Sequence, residues 1–304
     1  MTATDEARRP VVGFIGLGDQ GAPMAQAIGQ NGFDLRVWAR RPRSLQALDG
    51  TPHAVAASPA ELAGSVDVLA LCLRDDDDIW DILRTDGLLS ALNPGTVVVN
   101  HGTGDPDENT RIAAFLAQRG VAFLDAPVSG GRPGAMARTL TTMVGGDADA
   151  FTRCEAVFAT FSRRVALMGP SGSGQLTKLL NNAMTMSNLQ NAVDLVRTAD
   201  QLGADVLSVI DVINDSSGGS AVLRALASVI TPADAVHLSG LMRKDIEHFA
   251  EGVRARGVDA GPWRDRGLAG AQGLVDAAAL LAEHRRDSAT RGTGLTGTAT
   301  DPAR

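Results

Sequence analysis

A long stretch of this sequence carries only one charged residue. Between Val165 and Val193 that residue is Lys178, and Asn182 follows it at a spacing of i, i+4, which puts both side chains on one face of a helix. A surface helix would carry several charges, so we expect this one to be buried between two domains. A desolvated lysine has a lowered pKa and can exchange a proton near neutral pH. Lys178 is therefore a candidate acid–base group, the alternative being a structural lysine whose ammonium group extends to a domain edge.

A second polar group closes the fifth predicted strand. Asp125 is followed by Ala-Pro-Val and then by Ser129, Gly130 and Gly131. Ligands bind at the carboxyl edge of a parallel sheet, and a serine hydroxyl with two following glycine amides can hold a small carboxylate. The alternative is an ordinary glycine-rich turn.

A glycine-rich turn follows the first predicted strand and has the pattern G-x-G-x-x-G. Its residues are Gly16, Leu17, Gly18, Asp19, Gln20 and Gly21. Such glycines allow a tight turn, approach of the backbone to a pyrophosphate, and close packing of strand and helix. Because this turn follows a strand and opens a helix, it predicts dinucleotide binding.

The end of the second predicted strand indicates which dinucleotide is bound. An enzyme that uses NAD usually has Asp or Glu there, to bind the ribose 2′-hydroxyl. This chain has Ala39 instead, followed by Arg40, Arg41, Pro42 and Arg43. Since an arginine fork can bind two phosphate oxygens at once, the sequence predicts NADP(H), with Arg40 as the main contact of the 2′-phosphate and Arg41 beside it. The alternative is that Arg41 and Arg43 are solvated loop charges.

Short apolar segments must position these groups. Strands are predicted at 11–16, 35–39, 66–73, 96–100, 121–125, 140–146 and 163–169, with helices between them. Near-continuous apolar strands alternating with helices indicate a parallel sheet covered on both faces. From residue 174 to about Glu283 the pattern is helical. We expect an α/β Rossmann domain with a doubly wound parallel sheet at 10–170, an all-α domain at 171–286, and disordered tails at 1–9 and 287–304.

Composition limits the classes of protein that this chain can represent. Its 304 residues, 44% of them hydrophobic, suit two globular domains, and the net charge of -7 argues against nucleic acid as a partner. The two cysteines, Cys72 and Cys154, cannot form a metal cluster, and Cys72 in an apolar run suits a reducing, cytoplasmic setting. No apolar run approaches the ~20 residues of a membrane span. The absence of tyrosine excludes reductases whose proton donor is a tyrosine.

Four motifs occur in order along the chain, and together they resemble one family. They are GFIGLGDQGAPMA at 13–25, DAPVSGG at 125–131, GxGxxxKxxNN at 172–182, and Lys244-Asp245. Over about residues 11–283 the chain is similar to the β-hydroxyacid dehydrogenases, which include 3-hydroxyisobutyrate dehydrogenase, tartronate semialdehyde reductase and glyoxylate/succinic semialdehyde reductases. The resemblance implies a Rossmann domain, a long interdomain helix and a helical C-terminal domain that commonly mediates dimers. We therefore expect a homodimer or a higher homo-oligomer.

The resemblance also implies roles for single residues. Lys178 would be the catalytic acid/base, and Asn182 would hold both Lys178 and the substrate. The substrate carboxylate would lie on 129–131, with Asp245 as a supporting residue. Further cofactor contacts would come from Leu73, Thr103 and Lys244.

Three positions depart from the family pattern. They are Arg74, where proline is common, Gly102, where serine is usual, and Arg138, where the substrate loop often has glycine. All three surround the expected pocket, so they bear on the substrate rather than on the reaction class. Among neighbouring polar residues, the acidic run 75–78 is interpreted as a helix N-terminus, and His101 as a loop histidine.

The predicted reaction is reversible hydride transfer between NADP(H) and a small 3-hydroxy acid or the matching semialdehyde, a carboxylate-bearing substrate. One alternative is an NADPH-dependent imine reductase of related architecture, although such enzymes usually have Asp or Tyr where this chain has Lys178. The other is a catalytically silent NADP-binding scaffold protein, which would not need Lys178, Asn182 and Ser129 together.

Overall fold

The computed structural model describes residues 8–85, 87–228 and 230–293, with side chains as far as 289. Two compact units make up the chain, residues 1–178 and residues 179–304. Of the predicted tails, residues 1–7 and 294–304 lie outside the described residues.

The first unit contains one sheet, whose described strands are β1 (Val12–Ile15), β2 (Leu35–Trp38), β3 (Ala54–Val55), β4 (Val68–Leu71), β5 (Val97–Asn100), β6 (Ala122–Asp125), β7 (Val128–Ser129), β8 (Leu140–Gly146) and β9 (Ser162–Gly169). Their order is β3-β2-β1-β4-β5-β6-β8-β7, and β9 pairs with β8. The strands from β3 to β6 run parallel. β8 runs antiparallel to β6 and β7 and parallel to β9. The prediction of an α/β Rossmann fold is confirmed.

Helices cover both faces of this sheet. They are α1 (Gly21–Gln30), α2 (Pro59–Ala63), α3 (Asp76–Arg84), α4 (Leu88–Ala91), α5 (Pro106–Ala117), α6 (Gly131–Met136) and α7 (Ala148–Phe158). Successive side chains of a strand point to opposite faces, and both sets are apolar. On β5, Val97 and Val99 belong to one buried cluster and Val98 to the other. The strands are therefore buried on both sides, which explains their unbroken apolar runs.

The second unit is helical throughout its described residues. The long helix α8 (Ser173–Gln201) leads into it, followed by α9 (Val206–Asn214), α10 (Ala221–Ser228), α11 (Pro232–Arg254) and α12 (Gly261–Thr293). Glycine lets α12 lie against α8, since a Cβ on Gly270 would be 2.9 Å from the Met186 carbonyl oxygen. The prediction of a helical C-terminal domain is confirmed.

The described structure extends into both of the predicted tails. Arg9, assigned to the N-terminal tail, donates from Nη1 to the carbonyl oxygen of Asn31 at 2.8 Å, and its guanidinium group lies over the Phe33 ring. At the other end α12 continues to Thr293, beyond the predicted boundary at 286. The stretch that follows residue 286 is polar but contains no proline or glycine before 292, so nothing in it stops a helix that has already begun.

The described residues contain neither a candidate membrane span nor a candidate metal site. None of the helices in the described ranges is long and apolar enough to cross a bilayer. Within the same part of the chain, no three His, Cys, Asp or Glu side chains are grouped so that they could hold a metal ion.

Candidate active site

The loop between β1 and α1 has the shape that a pyrophosphate requires. Gly16 has a φ of +103°, and a Cβ there would lie 2.2 Å from the Cys72 carbonyl oxygen. A Cβ on Gly21 would lie 1.9 Å from the Gly16 carbonyl oxygen. At Gly18, by contrast, a Cβ would have no protein atom within 4 Å. The protein's own packing thus requires two of the glycines, while the third leaves open space in which backbone N–H groups can approach a phosphate.

The start of α1 is open to an anion. Gln20, the residue before the helix, makes no capping bond with its side chain, and the first turn contains no acidic residue. A helix N-terminus carries partial positive charge, although the Ala22 N–H in the first turn of α1 already donates to the Gly18 carbonyl oxygen at 3.0 Å. Leu17 packs against the core of the sheet, while Oδ1 of exposed Asp19 lies 3.6 Å from Nη1 of Arg132 in α6. The residues of this loop therefore fit a dinucleotide.

The predicted arginine contacts follow β2. Arg40 and Arg41 are both exposed, and Arg41 precedes a 3-10 helix at Pro42–Leu48. Nη1 of Arg40 lies 3.8 Å from Oδ1 of Asp78 in the first turn of α3. Asp75 caps this helix, because its Oδ1 accepts from the Asp78 N–H at 3.0 Å. The prediction that the acidic run begins a helix is confirmed.

Gln175 holds the loop that contains Thr103. It is fully buried, its Nε2 donates to the Gly102 carbonyl oxygen at 2.8 Å, and its Oε1 accepts from the Gly104 N–H at 3.0 Å. One side chain on the first turn of α8 thus pairs with the backbone on both sides of Thr103. No role is predicted for Gln175 from the sequence, although an amide in an uncharged, buried segment requires partners of this kind.

Asn100 and its neighbours fix the same loop from the sheet side. Asn100 accepts from the Gly102 N–H at 2.8 Å through Oδ1 and donates to Oδ1 of Asn109 at 2.8 Å through Nδ2. Asn109 in turn donates to Oδ1 of Asp76 at 2.9 Å. A Cβ on Gly102 would lie 2.7 Å from the carbonyl oxygen of Leu73. In this chain the loop passes too close to the end of β4 for a side chain at that position, which explains glycine instead of serine.

Asp125 anchors the start of α8. Its Oδ1 accepts from the Gly172 N–H at 2.7 Å and its Oδ2 from the Gln175 N–H at 2.9 Å. Burial raises the pKa of this carboxyl to about 6, although these backbone donors favour the ionised form. A Cβ on Gly145 would lie 2.5 Å from the carboxylate, so the site accepts no larger residue there. Asp125 belongs to a motif that the sequence singles out, but its capping role is not predicted from the sequence.

The Ser129–Gly131 loop turns sharply after β7. Gly130 has a φ of +131° and Gly131 a φ of +62°, a backbone conformation that favours glycine. Successive N–H groups in such a turn can form a concave site for an anion. Arg138 ends the same segment with a φ of +58°, which is strained for a residue with a side chain, and its guanidinium group donates to the side chain of Gln30. The conformation suits the glycine that the family often has at 138.

The remaining predicted residues lie on α8 and α11. Lys178 is partly buried and follows Gln175 by about one helical turn. Within the second unit, Nδ2 of Asn182 donates to Oδ2 of Asp245 at 3.0 Å, and Asn182 is buried. Lys244 is exposed on α11. The structure therefore joins Asn182 to Asp245, a pairing that the sequence did not predict.

Two family models match the chain almost from end to end. Residues 11–169 match the NAD binding domain of 6-phosphogluconate dehydrogenase, and residues 172–290 match the NAD-binding domain of NADP-dependent 3-hydroxyisobutyrate dehydrogenase. The chain belongs to the β-hydroxyacid dehydrogenase family. Members of this family are oxidoreductases that act on hydroxy acids with a nicotinamide cofactor.

Relatives of this dehydrogenase include enzymes with named substrates. The NAD-dependent L-serine dehydrogenase of Pseudomonas aeruginosa is 34% identical over 210 residues, which cover 69% of this chain and 70% of the relative. The human mitochondrial 3-hydroxyisobutyrate dehydrogenase is 29% identical over 213 residues, covering 70% of this chain and 63% of the relative. Among solved structures, the 3-hydroxyisobutyrate dehydrogenase of Mycobacterium tuberculosis with L-serine has a TM-score of 0.76 at 25% identity, covering 91% of this chain and 100% of that one.

His101 of this dehydrogenase lies in the loop after β5, as predicted, but its side chain is buried in the core. It follows β5 directly, is 2% exposed, and lies against the rings of Phe14, Phe158 and Phe161. Its Nδ1 pairs with the Ala126 carbonyl oxygen at 2.9 Å. Burial lowers the pKa of His101 to about 4, so the imidazole is neutral at physiological pH and helps to close the core beneath the site.

The first unit brings most of the predicted residues to one edge. The Gly16–Gly21 loop, Arg40, Leu73, Thr103 and Ser129 all follow the carboxyl ends of strands in the same sheet. Ligands bind at this edge in open α/β sheets. Asn182, Lys244 and Asp245 belong to the second unit.

Proposed function

We propose that this dehydrogenase transfers hydride reversibly between NADP(H) and a small 3-hydroxy acid or the corresponding semialdehyde. The observation that carries the proposal is the anchoring of the start of α8, the helix that contains Lys178. Asp125 caps the start of α8, and Gln175 ties the first turn of this helix to the Thr103 loop. Lys178 lies about one turn further along the same helix. A scaffold that only bound a nucleotide would not need a lysine on a helix anchored in this way.

Each group at the carboxyl edge of the sheet has a role in this reaction. The nicotinamide group supplies or accepts the hydride. The Gly16–Gly21 loop binds the pyrophosphate through backbone N–H groups, and the Thr103 loop borders the nicotinamide ribose. The N–H groups of Gly130 and Gly131, with the Ser129 hydroxyl, hold the substrate carboxylate. Fixing the carboxylate sets the carbonyl carbon at the position where hydride arrives, which is a positioning contribution.

Lys178 moves the proton. During reduction, hydride adds to the carbonyl carbon while the Lys178 ammonium gives a proton to the carbonyl oxygen, so an alcohol forms and the amine is left neutral. The amine then regains a proton from water. Oxidation runs the same steps backward, with neutral Lys178 accepting the hydroxyl proton. The chain contains only two lysines, Lys178 and Lys244, so few other ammonium groups can replace it.

Asn182 and two residues of α11 would support the Lys178 ammonium group. Because Nδ2 of Asn182 donates to Asp245, the amide has a fixed orientation that directs its oxygen as an acceptor. An acceptor one turn from Lys178 would hold the ammonium group and the substrate hydroxyl. Lys244 would add a positive charge for the cofactor, and Asp245 would act through Asn182 at the substrate.

The cofactor is proposed to be NADP(H) rather than NAD(H). Ala39 leaves no acid at the end of β2 to bind a ribose 2′-hydroxyl, and the next two residues are the exposed arginines Arg40 and Arg41. Native enzyme should therefore have a higher kcat/KM with NADPH than with NADH, and Arg40→Ala should reduce that ratio. A native preference for NADH would contradict this part of the proposal.

The substrate is tested by a panel assayed with NADP(H). L-Serine, 3-hydroxyisobutyrate and further small 3-hydroxy acids are oxidised, the matching semialdehydes are reduced, and a cyclic imine serves as the contrasting substrate. Turnover of a carboxylate-bearing pair supports the proposal. Turnover of the imine alone would assign the chain to the imine reductases, and no turnover with tight NADPH binding would indicate a scaffold protein.

We also propose that the protein is a homodimer or a higher homo-oligomer in a cytoplasmic, reducing setting. The second unit exposes large apolar side chains, including Leu202, Val212 and Val236, and both cysteines are free thiols. Light scattering at micromolar concentration should give a mass above that of a 31.5 kDa monomer.

A further inference from the structure

Two exposed guanidinium groups border the Gly16–Gly21 loop from opposite sides. The strands β2 and β4 are the two neighbours of β1 in the sheet. Arg40 follows β2, and Arg74 follows β4 just before the Asp75 cap of α3. Loops that leave adjacent parallel strands at their carboxyl ends lie beside each other at one edge. The two arginines therefore approach the same region from different elements.

One carboxylate lies between these two groups. Oδ1 of Asp78 is 3.8 Å from Nη1 of Arg40, and Oδ2 of Asp78 is 3.7 Å from Nε of Arg74. The Asp78 side chain is only 15% exposed, so its position is set by the packing of α3. Its carboxylate thus holds Arg40 and Arg74 within reach of a single anion, against the repulsion between their charges.

Asp75 orients Arg74 further. Its Oδ2 accepts from Nε of Arg74 at 2.9 Å, while its Oδ1 caps the helix. Both acidic contacts of Arg74 use its Nε. A guanidinium group has five N–H donors in a planar fork, so the two Nη groups can serve a further acceptor.

The ligand that fits is the 2′-phosphate of the cofactor. In a Rossmann domain the adenosine ribose lies at the end of β2, which in this chain is next to Arg40. A phosphate monoester carries about −1.5 to −2 charges near pH 7, more than one arginine neutralises. We propose that Arg74 is a second guanidinium group of the 2′-phosphate site and determines, with Arg40, the specificity for NADP(H). This inference rests on the proposed use of NADP(H).

The size of the effect follows from the exposure of the groups. Arg74 and Arg40 are 75% and 73% exposed in their side chains, so water and salt weaken each contact with a phosphate. Loss of one charge-assisted contact under these conditions corresponds to roughly 5–20-fold in Kd. The change should be confined to ligands that carry the 2′-phosphate.

Calorimetry with adenosine half-ligands tests this proposal without any catalytic turnover. The Kd values of 2′,5′-ADP and 5′-AMP, which differ only in the 2′-phosphate, are measured for native enzyme, Arg74→Ala, Arg74→Gln and Arg40→Ala. Arg43→Ala is the matched control, because Arg43 is exposed in the same sequence segment as Arg40. We expect both Arg74 variants to raise the Kd of 2′,5′-ADP by roughly 5–20-fold. The Kd of 5′-AMP should stay within about twofold of the native value, and the control should bind both ligands like native enzyme.

Three other outcomes would overturn the inference. If the Arg74 variants bind both ligands normally while Arg40→Ala loses 2′,5′-ADP, Arg74 is not in the site and the proposed use of NADP(H) still stands. If the Arg74 variants bind both ligands more weakly and to the same extent, Arg74 supports the pocket as a whole and not the 2′-phosphate. If native enzyme binds 5′-AMP as tightly as 2′,5′-ADP, the proposed use of NADP(H) fails, and the role of Arg74 fails with it.

Discussion

The ionisation of Asp125 should oppose folding, although the carboxylate accepts well-placed hydrogen bonds. Its pKa in the fold is raised to about 6, mainly by burial, whereas an unfolded Asp titrates near ~3.9. A group whose pKa is raised on folding contributes stability that is fully present below the unfolded pKa and is lost as pH rises through the folded pKa. The Asp125 side chain should therefore contribute more to the stability of the first unit at pH 4.5, where it is protonated, than at pH 8, where it is ionised.

The magnitude follows from the two pKa values. One pKa unit corresponds to about 1.4 kcal/mol, so the interval between ~3.9 and about 6 corresponds to roughly 3 kcal/mol over the full range, and to roughly 2 kcal/mol between pH 4.5 and 8. The Asn variant has nearly the same shape but does not titrate. Subtracting its free energy of unfolding from that of the native protein leaves the titration of Asp125.

This subtraction also removes the contribution of His101. The pKa of His101 is lowered to about 4 in the fold, below the ~6.5 of an unfolded histidine. Its contribution to stability is therefore present above ~6.5 and is lost as pH falls toward about 4. Asp125 and His101 thus act in opposite directions over the same interval, so their contributions to the pH profile of the native protein largely offset each other. Both proteins in the comparison contain His101, so its contribution cancels.

Urea denaturation from pH 4.5 to pH 8 measures the effect. Both proteins carry Trp263→Phe, so that fluorescence reports Trp38 and Trp80 of the first unit. The free energy of unfolding of the native protein, minus that of the Asp125→Asn variant, should fall by roughly 2 kcal/mol as pH rises. A difference that stays constant, or one that rises with pH as for a carboxylate in a salt bridge, would refute the reasoning.

Two further predictions concern residues that shape the same edge. Gln175→Met leaves the Gly102 carbonyl and the Gly104 N–H buried without their partner, so urea denaturation should show a loss of roughly 2–4 kcal/mol, and an unchanged midpoint would contradict the role of Gln175. Gly16→Ala should destabilise the first unit because its Cβ would meet the Cys72 carbonyl, whereas Gly18→Ala has room and should keep the native melting temperature while raising the Kd for NADPH. Equal behaviour of the two glycine variants, in stability and in binding, would contradict the assignment of Gly18 to the phosphate contact.

Sequence patterns were sufficient for the architecture because burial on both faces leaves an unbroken apolar signal. Strands such as Val97–Asn100 and the long helix α8 carry that signal directly. The two-residue strands Ala54–Val55 and Val128–Ser129 were not predicted, since so short a segment has no periodicity. The glycine-rich turn could be predicted because steric limits on each glycine are local. The same holds for the capping role of the acidic run.

Contacts between distant segments could not be predicted in this way. Gln175 reaches the Thr103 loop across 71 positions, and Asp125 reaches Gln175 across 50; only the fold brings them together. The burial of His101 was not predicted because the residues after β5 are polar, while the rings that enclose it come from β1 and from the region of α7. Arg138 occupies a left-handed conformation that its own residue type disfavours, so only the glycine that the family often has at this position indicates it.

The most direct test of the catalytic claim is the rate of hydride transfer in Lys178→Ala, saturated with NADPH and measured in a single turnover with the best semialdehyde. The rate should fall by roughly 10²–10⁴-fold, the usual contribution of general acid–base catalysis, while the Kd for NADPH stays near the native value. Added methylamine should restore part of the rate, because a small ammonium ion can supply the missing proton. A variant that folds, binds NADPH and transfers hydride at close to the native rate would show that Lys178 is structural.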